Sequence, residues 1–372
     1  MAPTQMEFIG RGQIRAIQKV LKKHAPKKIF LVTGKHSYQA CGANSDIDRL
    51  LSDYTFVRFH DFSPNPTFKE ALQGTKLFEK EPCDFIIAIG GGSAIDMAKT
   101  INVFQAHKGK EKELATGQLK LTNTLLPMCI VPTTTGTGSE ATHFAVIYVD
   151  GDKYSLAHET LLPNYVILDP NYTDTMSPYI TACTGFDALS QAIESYWAKG
   201  ATDESRGYAV QAIPLISNNI ELAVNEADRT ARENMQLGAN YAGKAINISK
   251  TTAPHALSYG ITRITSLPHG HAVALTLGNF FIINDRCINE GHQALDMFQN
   301  LYSLLNVSNA NEAKSWWYDL MAKCKLNTDL KEYSLDKERL IDAIISYPNL
   351  ERLGNHPFQL DKNDLKSALT LC

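Results

Sequence analysis

An apolar strand that runs straight into three glycines and a serine, in the stretch DFIIAIGGGSAIDMAKTI, does most to limit what this chain can fold into. Gly90, Gly91 and Gly92 follow the strand directly, and Ser93 opens a helical stretch that continues through Lys99. Such strand–loop–helix units in series imply a parallel sheet covered by helices. The pattern recurs: Lys28 to Thr33, Thr55 to Phe59, Phe85 to Ile89 and Met128 to Val131 read as strands, with helix-like segments such as Phe68 to Glu81 between them. One hairpin interrupts the series, where AVIYV and KYSLA flank a tight turn at Asp150-Gly151-Asp152. After Asp169-Pro170 the strands stop. From Ser177 the segments TACTGFDALSQAIESYWA, RGYAVQAIPLISNNIELAV and ARENMQLGANYAGKAINI carry apolar residues at three and four spacing, the mark of helices. A chain of 372 residues exceeds what one core usually serves. We therefore expect an α/β nucleotide-binding domain over 1–175 and an all-helical domain over 176–372, with a ligand cleft between them.

Two loops in the first half carry binding chemistry. Glycines let a backbone approach a phosphate, and the amide N–H groups at a helix start favour its charge. The spacing is not a full GxGxxG, because Ile95 stands where the third glycine would be, and a plain strand-to-helix turn is the alternative. The second loop, Pro132-Thr133-Thr134-Thr135-Gly136-Thr137-Gly138-Ser139-Glu140, also follows a strand. Hydroxyls and glycines add nothing to a core there, yet they offer small donors to a diphosphate, ribose or amide.

Composition removes other classes. A formal charge of -3 gives no basic field for nucleic acid. No apolar run approaches the roughly 18 residues of a membrane-spanning helix, and the start lacks a secretory apolar stretch, so we expect a cytoplasmic protein. The seven cysteines are odd in number and scattered, without a CxxC pair, which points to free thiols.

In the second half Asp187 and Gln191 stand at i and i+4, and His255 and His269 follow in TTAPHALSYG and SLPHGHAV. Carboxylate oxygen and imidazole nitrogen suit zinc or ferrous iron. Taken singly, each has a duller reading as a capping, paired or core residue.

The series GGGSAIDMAKT, PTTTGTGSE, DPNYT leading into TGFDAL, then His255 with His269, resembles the iron-dependent (group III) alcohol dehydrogenases. The resemblance spans about residue 8 to about residue 285. It implies a dehydroquinate synthase-like layout and a metal-assisted, nicotinamide-dependent oxidoreductase. By resemblance the metal, iron or zinc, falls to Asp187, Gln191, His255 and His269, with Gln191 where the family usually has histidine. A further family histidine is Tyr259 here, so a proton relay would be rebuilt from Tyr259, His271 or water. For the cofactor, the resemblance places Gly90 to Ser93 at the diphosphate, Thr133, Thr134 and Ser139 near the nicotinamide, Lys153 near the phosphates or ring, and Asp96 toward the active site.

Many NAD-dependent members carry an aspartate after the first strand. This chain has Gly34 and Lys35, which favours NADP(H) over NAD(H). Lys244, Lys250 and Arg263, close in sequence to His255, suggest a clamp for an anionic substrate, exposed ion pairs being the alternative. GFDALSQAIESYWA, GKAINISKTTAPHALSY and PHGHAVALTLG are similar to the branch that reduces phosphonoacetaldehyde to 2-hydroxyethylphosphonate in phosphonate biosynthesis, a branch that shares the glutamine at Gln191. The expected partners are thus a small anionic aldehyde and, compatibly, a second copy in a homodimer. Two other readings stay open: an alcohol dehydrogenase for a small alcohol or polyol, and a lyase of the dehydroquinate synthase kind. Beyond about residue 286 the chain shows amphipathic helices and no chemistry.

Overall fold

The computed structural model describes residues 5–289, 294–330, 337–346 and 348–370; the opening MAPT, Cys372 and parts of the stretch after residue 286 lie outside the described residues. The chain divides into two compact units, Met1–Met176 and Ser177–Cys372.

The first unit is built on strands β1 (Met6–Ile9), β2 (Ile29–Thr33), β3 (Phe56–Phe59), β4 (Phe85–Gly90), β5 (Met128–Pro132), β6 (Phe144–Val149), β7 (Asp152–Ala157) and β8 (Tyr165–Leu168). Six form a parallel sheet in the order β1-β8-β5-β4-β2-β3. Its middle strands are buried at every position, as continuous apolar runs require, and successive side chains enter opposite cores. Phe30, Val32, Ile86, Ala88, Met128 and Ile130 pack on one face. Ile29, Leu31, Phe85, Ile87, Ile89, Cys129 and Val131 pack on the other. The parallel sheet with covering helices is the one the sequence predicts, with two additions. β1 and β8 are each four residues long and pair with one another, too short for alternation to register.

β6 and β7 form the separate hairpin, and Asp150 and Gly151 both take the left-handed conformation (φ 53° and 91°) that a two-residue turn of this hand demands.

The second unit is helical. Its central helix, Pro178–Trp197, is started by Ser177, whose hydroxyl accepts from the Ile180 amide at 3.3 Å, with Pro178 in the first turn where a missing N–H costs nothing. From Thr181 on it is buried almost all round, enclosed by Asp203–Ser217, Arg229–Ser249 and His269–Asn289. The stretch 206–224, continuous in periodicity, divides into Asp203–Ser217 and Ile220–Asn225. Asn219 explains the break: its side-chain amide donates to the Leu215 carbonyl at 2.9 Å, competing with the helix ladder. Among the described residues no helix is long and apolar enough to cross a membrane, and Cys41, Cys83, Cys129, Cys183, Cys287 and Cys324 are free.

His356 lies in the core of this unit, its ring 5.3 Å from that of Phe280 and 6.2 Å from that of Trp197, with Nε2 donating to Asn284 Oδ1 at 2.8 Å. Burial, aided by Lys199, pushes its pKa down from 6.5 to about 3. The unfolded chain takes up a proton below pH 6.5 that the folded chain refuses until about pH 3. Stability therefore falls as pH drops through that window, at up to ~1.4 kcal/mol per pH unit. Urea midpoints measured from pH 7 to pH 4 should decline, and His356→Gln should flatten the decline. An unchanged slope in the variant would remove His356 as its cause.

Candidate metal centre and nucleotide cradle

Asp187, Gln191 and Glu194 form one stripe of polar side chains along the helix Pro178–Trp197, and all three are buried. His255 sits in the first turn of the helix Ala253–Thr265, and His269 begins the helix His269–Asn289. One oxygen of Asp187 and one nitrogen each of His255 and His269 lie within 4.8 Å of one another. Asp187 Oδ1 is 3.4 Å from His255 Nε2 and 3.9 Å from His269 Nε2.

Two neighbours orient the imidazoles. His255 Nδ1 donates to Glu194 Oε1 at 2.5 Å, and the other Glu194 oxygen accepts from the Thr252 amide and hydroxyl at 2.6 and 2.8 Å. His269 Nδ1 donates to Ser258 Oγ at 3.4 Å, while that hydroxyl donates to the His255 carbonyl at 2.7 Å. Each ring thus turns its Nε2 toward the carboxylate, the orientation of imidazoles that ligate a divalent cation once that nitrogen is deprotonated. Burial lowers the His255 pKa, but Glu194 and Asp187 outweigh it and raise it to about 9. A cation entering at neutral pH therefore displaces a proton. The donor set fits zinc or ferrous iron. His269 is the open side: its side chain is 34% exposed, against 7% for His255 and 5% for Asp187.

The closeness of the helices depends on Gly270. A Cβ there would stand 2.0 Å from the Cys183 carbonyl oxygen and 2.7 Å from Asp187 Cβ. Sequence reasoning passed over both Gly270 and the supporting role of Glu194. The signal for the latter was present, as an acid seven residues after Asp187 on a helix otherwise poor in charge.

The other expected residues separate. Gln191 is buried one turn beyond Asp187. Tyr259 sets its ring edge-on to His269, centroids 6.4 Å apart. His271, an expected proton relay, is corrected. It is 1% exposed, its Nε2 donates to the Asn327 carbonyl at 2.8 Å, and its Nδ1 accepts from the Tyr179 hydroxyl at 3.4 Å. Burial lowers its pKa, and the ring ties two chain segments together. The three residues of the expected anion clamp, Lys244, Lys250 and Arg263, have different surroundings. Lys250 is exposed and paired with Glu351. Lys244 lies over the rings of Tyr208 and Tyr241, 5.9 and 5.4 Å from their centroids. Arg263 is exposed in the last turn of its helix.

In the first unit the two loops meet. Gly34 donates its amide to Ile89 O at 3.2 Å, and Thr133 donates to Gly90 O at 3.0 Å, so the turns after β2, β4 and β5 abut. A Cβ on Gly91 would come 3.1 Å from Thr134 Cγ2, and one on Gly92 would come 2.7 Å from Thr137 Cγ2. Both glycines leave space that the threonines fill. Ser93 donates to the Pro64 carbonyl, and Lys153 lies on β7. Lys35 makes an exposed ion pair with Asp61 at 3.1 Å.

A fully buried lysine, missed in the sequence, braces the second loop. Lys99 Nζ, on the helix Gly92–Ala106, donates to the carbonyls of Ser139, Thr142 and Phe144 at 2.7, 2.6 and 2.9 Å. Burial drives its pKa down to about 8 against the pull of Asp96 and Glu140. Asp96, one turn earlier, accepts from the Val146 amide at 3.0 Å and is pushed up to about 6 by burial, against Lys99. Thr133 and Ser139 are buried beside this network.

A cradle of backbone amides after parallel strands takes a dinucleotide, and a helical carboxylate–imidazole centre takes a Lewis-acid cation. Both are features of enzymes that work with a nicotinamide and a divalent cation. Comparison with known proteins agrees. Residues 3–170 match the family model described as iron-containing alcohol dehydrogenase, and residues 181–369 match that of the Fe-containing alcohol dehydrogenase family, C-terminal. The chain is 32% identical over 327 residues to choline dehydrogenase of Bacillus subtilis (strain 168), covering 86% of this chain and 81% of that protein. It is 28% identical to the NADPH-dependent butanol dehydrogenase of Clostridium saccharobutylicum, over 96% and 94% of the two chains. Among solved structures, the sulfoacetaldehyde reductase from Bifidobacterium kashiwanohense in complex with NAD+ superposes with a TM-score of 0.91 at 28% identity, over 100% of this chain and 97% of that one. The chain belongs to the iron-containing alcohol dehydrogenase family and is a metal-dependent NAD(P) oxidoreductase of alcohols and aldehydes.

Three variants test these sites. Glu194→Gln should weaken metal binding about 10–100-fold in chelator competition, and Gly270→Ala should abolish the rise in melting temperature on adding metal. Undiminished affinity in Glu194→Gln would show that the carboxylate does not orient His255. Separately, Gly92→Ala should weaken NAD(P)H binding at least about tenfold in a fluorescence titration if this loop carries the diphosphate, because the added methyl displaces Thr137 and shifts the loop backbone. Equal affinity would take the diphosphate away from this loop.

Proposed function

We propose that the enzyme reduces a short aldehyde bearing an anionic group, phosphonoacetaldehyde to 2-hydroxyethylphosphonate, with NADPH as reductant. The observation that carries the substrate class is the full-length likeness to sulfoacetaldehyde reductase, since sulfoacetaldehyde is a two-carbon aldehyde with a strong anion beside the carbonyl carbon. Gln191, the glutamine of the phosphonoacetaldehyde-reducing branch, supports the finer choice.

When bound, the divalent cation supplies Lewis-acid polarisation and the reduced nicotinamide supplies hydride. Asp187, His255 and His269 would hold the cation, with Gln191 adding a neutral oxygen. Glu194 and Ser258 keep the two imidazoles in the ligating tautomer, so no reorganisation is needed as substrate enters. Partly exposed His269 marks the side from which the aldehyde approaches. Tyr259, whose ring rests against His269, is the group whose Oη we assign to pass a proton, through water, to the product oxygen. Gly90 to Ser93 would bind the diphosphate, Thr133, Thr134 and Ser139 the nicotinamide half, with Lys153 near the phosphates or ring and Asp96 toward the active site. NADPH is preferred because no carboxylate follows β2 to hold a ribose diol. The absence of disulfides among the described cysteines fits a reducing cytoplasm.

The test is loss of NADPH absorbance with phosphonoacetaldehyde, sulfoacetaldehyde and propanal under identical metal loading. The kcat/KM for phosphonoacetaldehyde should exceed that for propanal by at least about 100-fold. A preference for the neutral aldehyde would sink the anionic substrate, and no net consumption of NADPH would favour the lyase.

A further inference from the structure

We propose that Arg58 selects the phosphorylated coenzyme by forking its guanidinium onto the 2′-phosphate of NADP(H) beside Gly34; this rests on the NADP(H) reading above. In an open α/β sheet the ligand lies outside the carboxyl ends of the strands, where the strand order reverses. Here that point falls between β2 and β4, because the chain steps outward from β2 to β3 and then returns to the other flank of β2. The glycine loop after β4 takes the diphosphate. On its β5 side stands the threonine-rich loop, so the adenosine half extends the other way, over the ends of β2 and β3.

At the end of β2 the backbone leaves room and no charge. Gly34 has no side chain there, and a Cβ on it would stand 2.1 Å from Ser37 Oγ. Lys35, the cation that sequence alone offers, is 53% exposed and already paired with Asp61. Such a pair contributes little and is screened.

Arg58 differs in every respect. It lies opposite Leu31 in the β2–β3 register and reaches the strand ends, where its Nε donates to Thr33 Oγ1 at 2.8 Å. Its guanidinium carbon lies 4.5 Å from the centroid of the Tyr38 ring. Thr33 is fully buried and Tyr38 2% exposed, so both supports are rigid. The group is half-buried and makes no ion pair among the described residues. Nε and the ring face are used, and the two terminal nitrogens remain for a ligand. That is the fork which binds phosphate oxygens in pairs. Rigid neutral supports cut the ordering cost of that contact. A 2′-hydroxyl offers the fork no charge, so the discrimination is electrostatic.

The metal-loaded full chain and its Arg58→Met and Arg58→Lys variants are compared with NADPH and NADH on one aldehyde. Methionine keeps an apolar stem over Tyr38, and melting curves confirm folding. We expect Arg58→Met to lower kcat/KM for NADPH at least tenfold through KM, with kcat at saturation and the NADH values within twofold, and Arg58→Lys to recover part of the loss. A guanidinium that serves packing alone would move both coenzymes together, and that result overturns the assignment. A wild type that prefers NADH overturns the NADP(H) reading and this proposal with it. A wild type that prefers NADPH, with the preference intact in Arg58→Met, overturns the role of Arg58 alone.

Discussion

The close approach of the helices Pro178–Trp197 and His269–Asn289 at Gly270 is the contact on which the grouping of Asp187 with His269 depends. With a Cβ on Gly270 only 2.0 Å from the Cys183 carbonyl, neither helix could sit where it does. Asp187 and His269 would then part, and a cation would lose one of its three donors. Three polar groups gathered in a largely apolar helical core are costly unless satisfied. The chain meets that cost from behind, through Glu194, Thr252 and Ser258, which hold the two imidazoles in place.

The first unit solves a related problem by shape. Glycines at 91 and 92 and threonines at 134 and 137 occupy one another's missing volume, so two loops from neighbouring strands become one surface. A loop of small polar residues would ordinarily be mobile. Lys99 counters this by donating to three carbonyls of the segment from Ser139 to Phe144, with Asp96 and Glu140 balancing its charge. The ammonium is buried, yet each strong demand on it is met within the unit.

Charge was the least legible property of the sequence. Lys244, Lys250 and Arg263 cluster in sequence around His255, and proximity in sequence suggested a shared pocket. On a helix, residues a few positions apart can point in different directions, and the two lysines went to tyrosine faces and to Glu351. His271 adjoins His269, yet the helical turn carries it into the core against Asn327. In each case adjacency along the chain misreports direction in space. Arg58 shows the converse. It sits in a four-residue edge strand with no motif around it, and only strand pairing sets it beside Thr33.

What the amino-acid order determined by itself was local and periodic: apolar runs for the buried strands, glycines where a strand meets a helix, the Asp150-Gly151 turn, the Ser177-Pro178 helix start, and the spacing of Asp187, His255 and His269. These follow from backbone sterics, capping and burial, which act over a few residues. Tertiary structure alone decided which side chains converge: Glu194 on His255, Lys99 beneath the second loop, Gly270 against Cys183, and Arg58 on Tyr38. Those partners lie tens of residues apart, and the direction in which each side chain leaves its element is set by packing between elements, which no local pattern encodes.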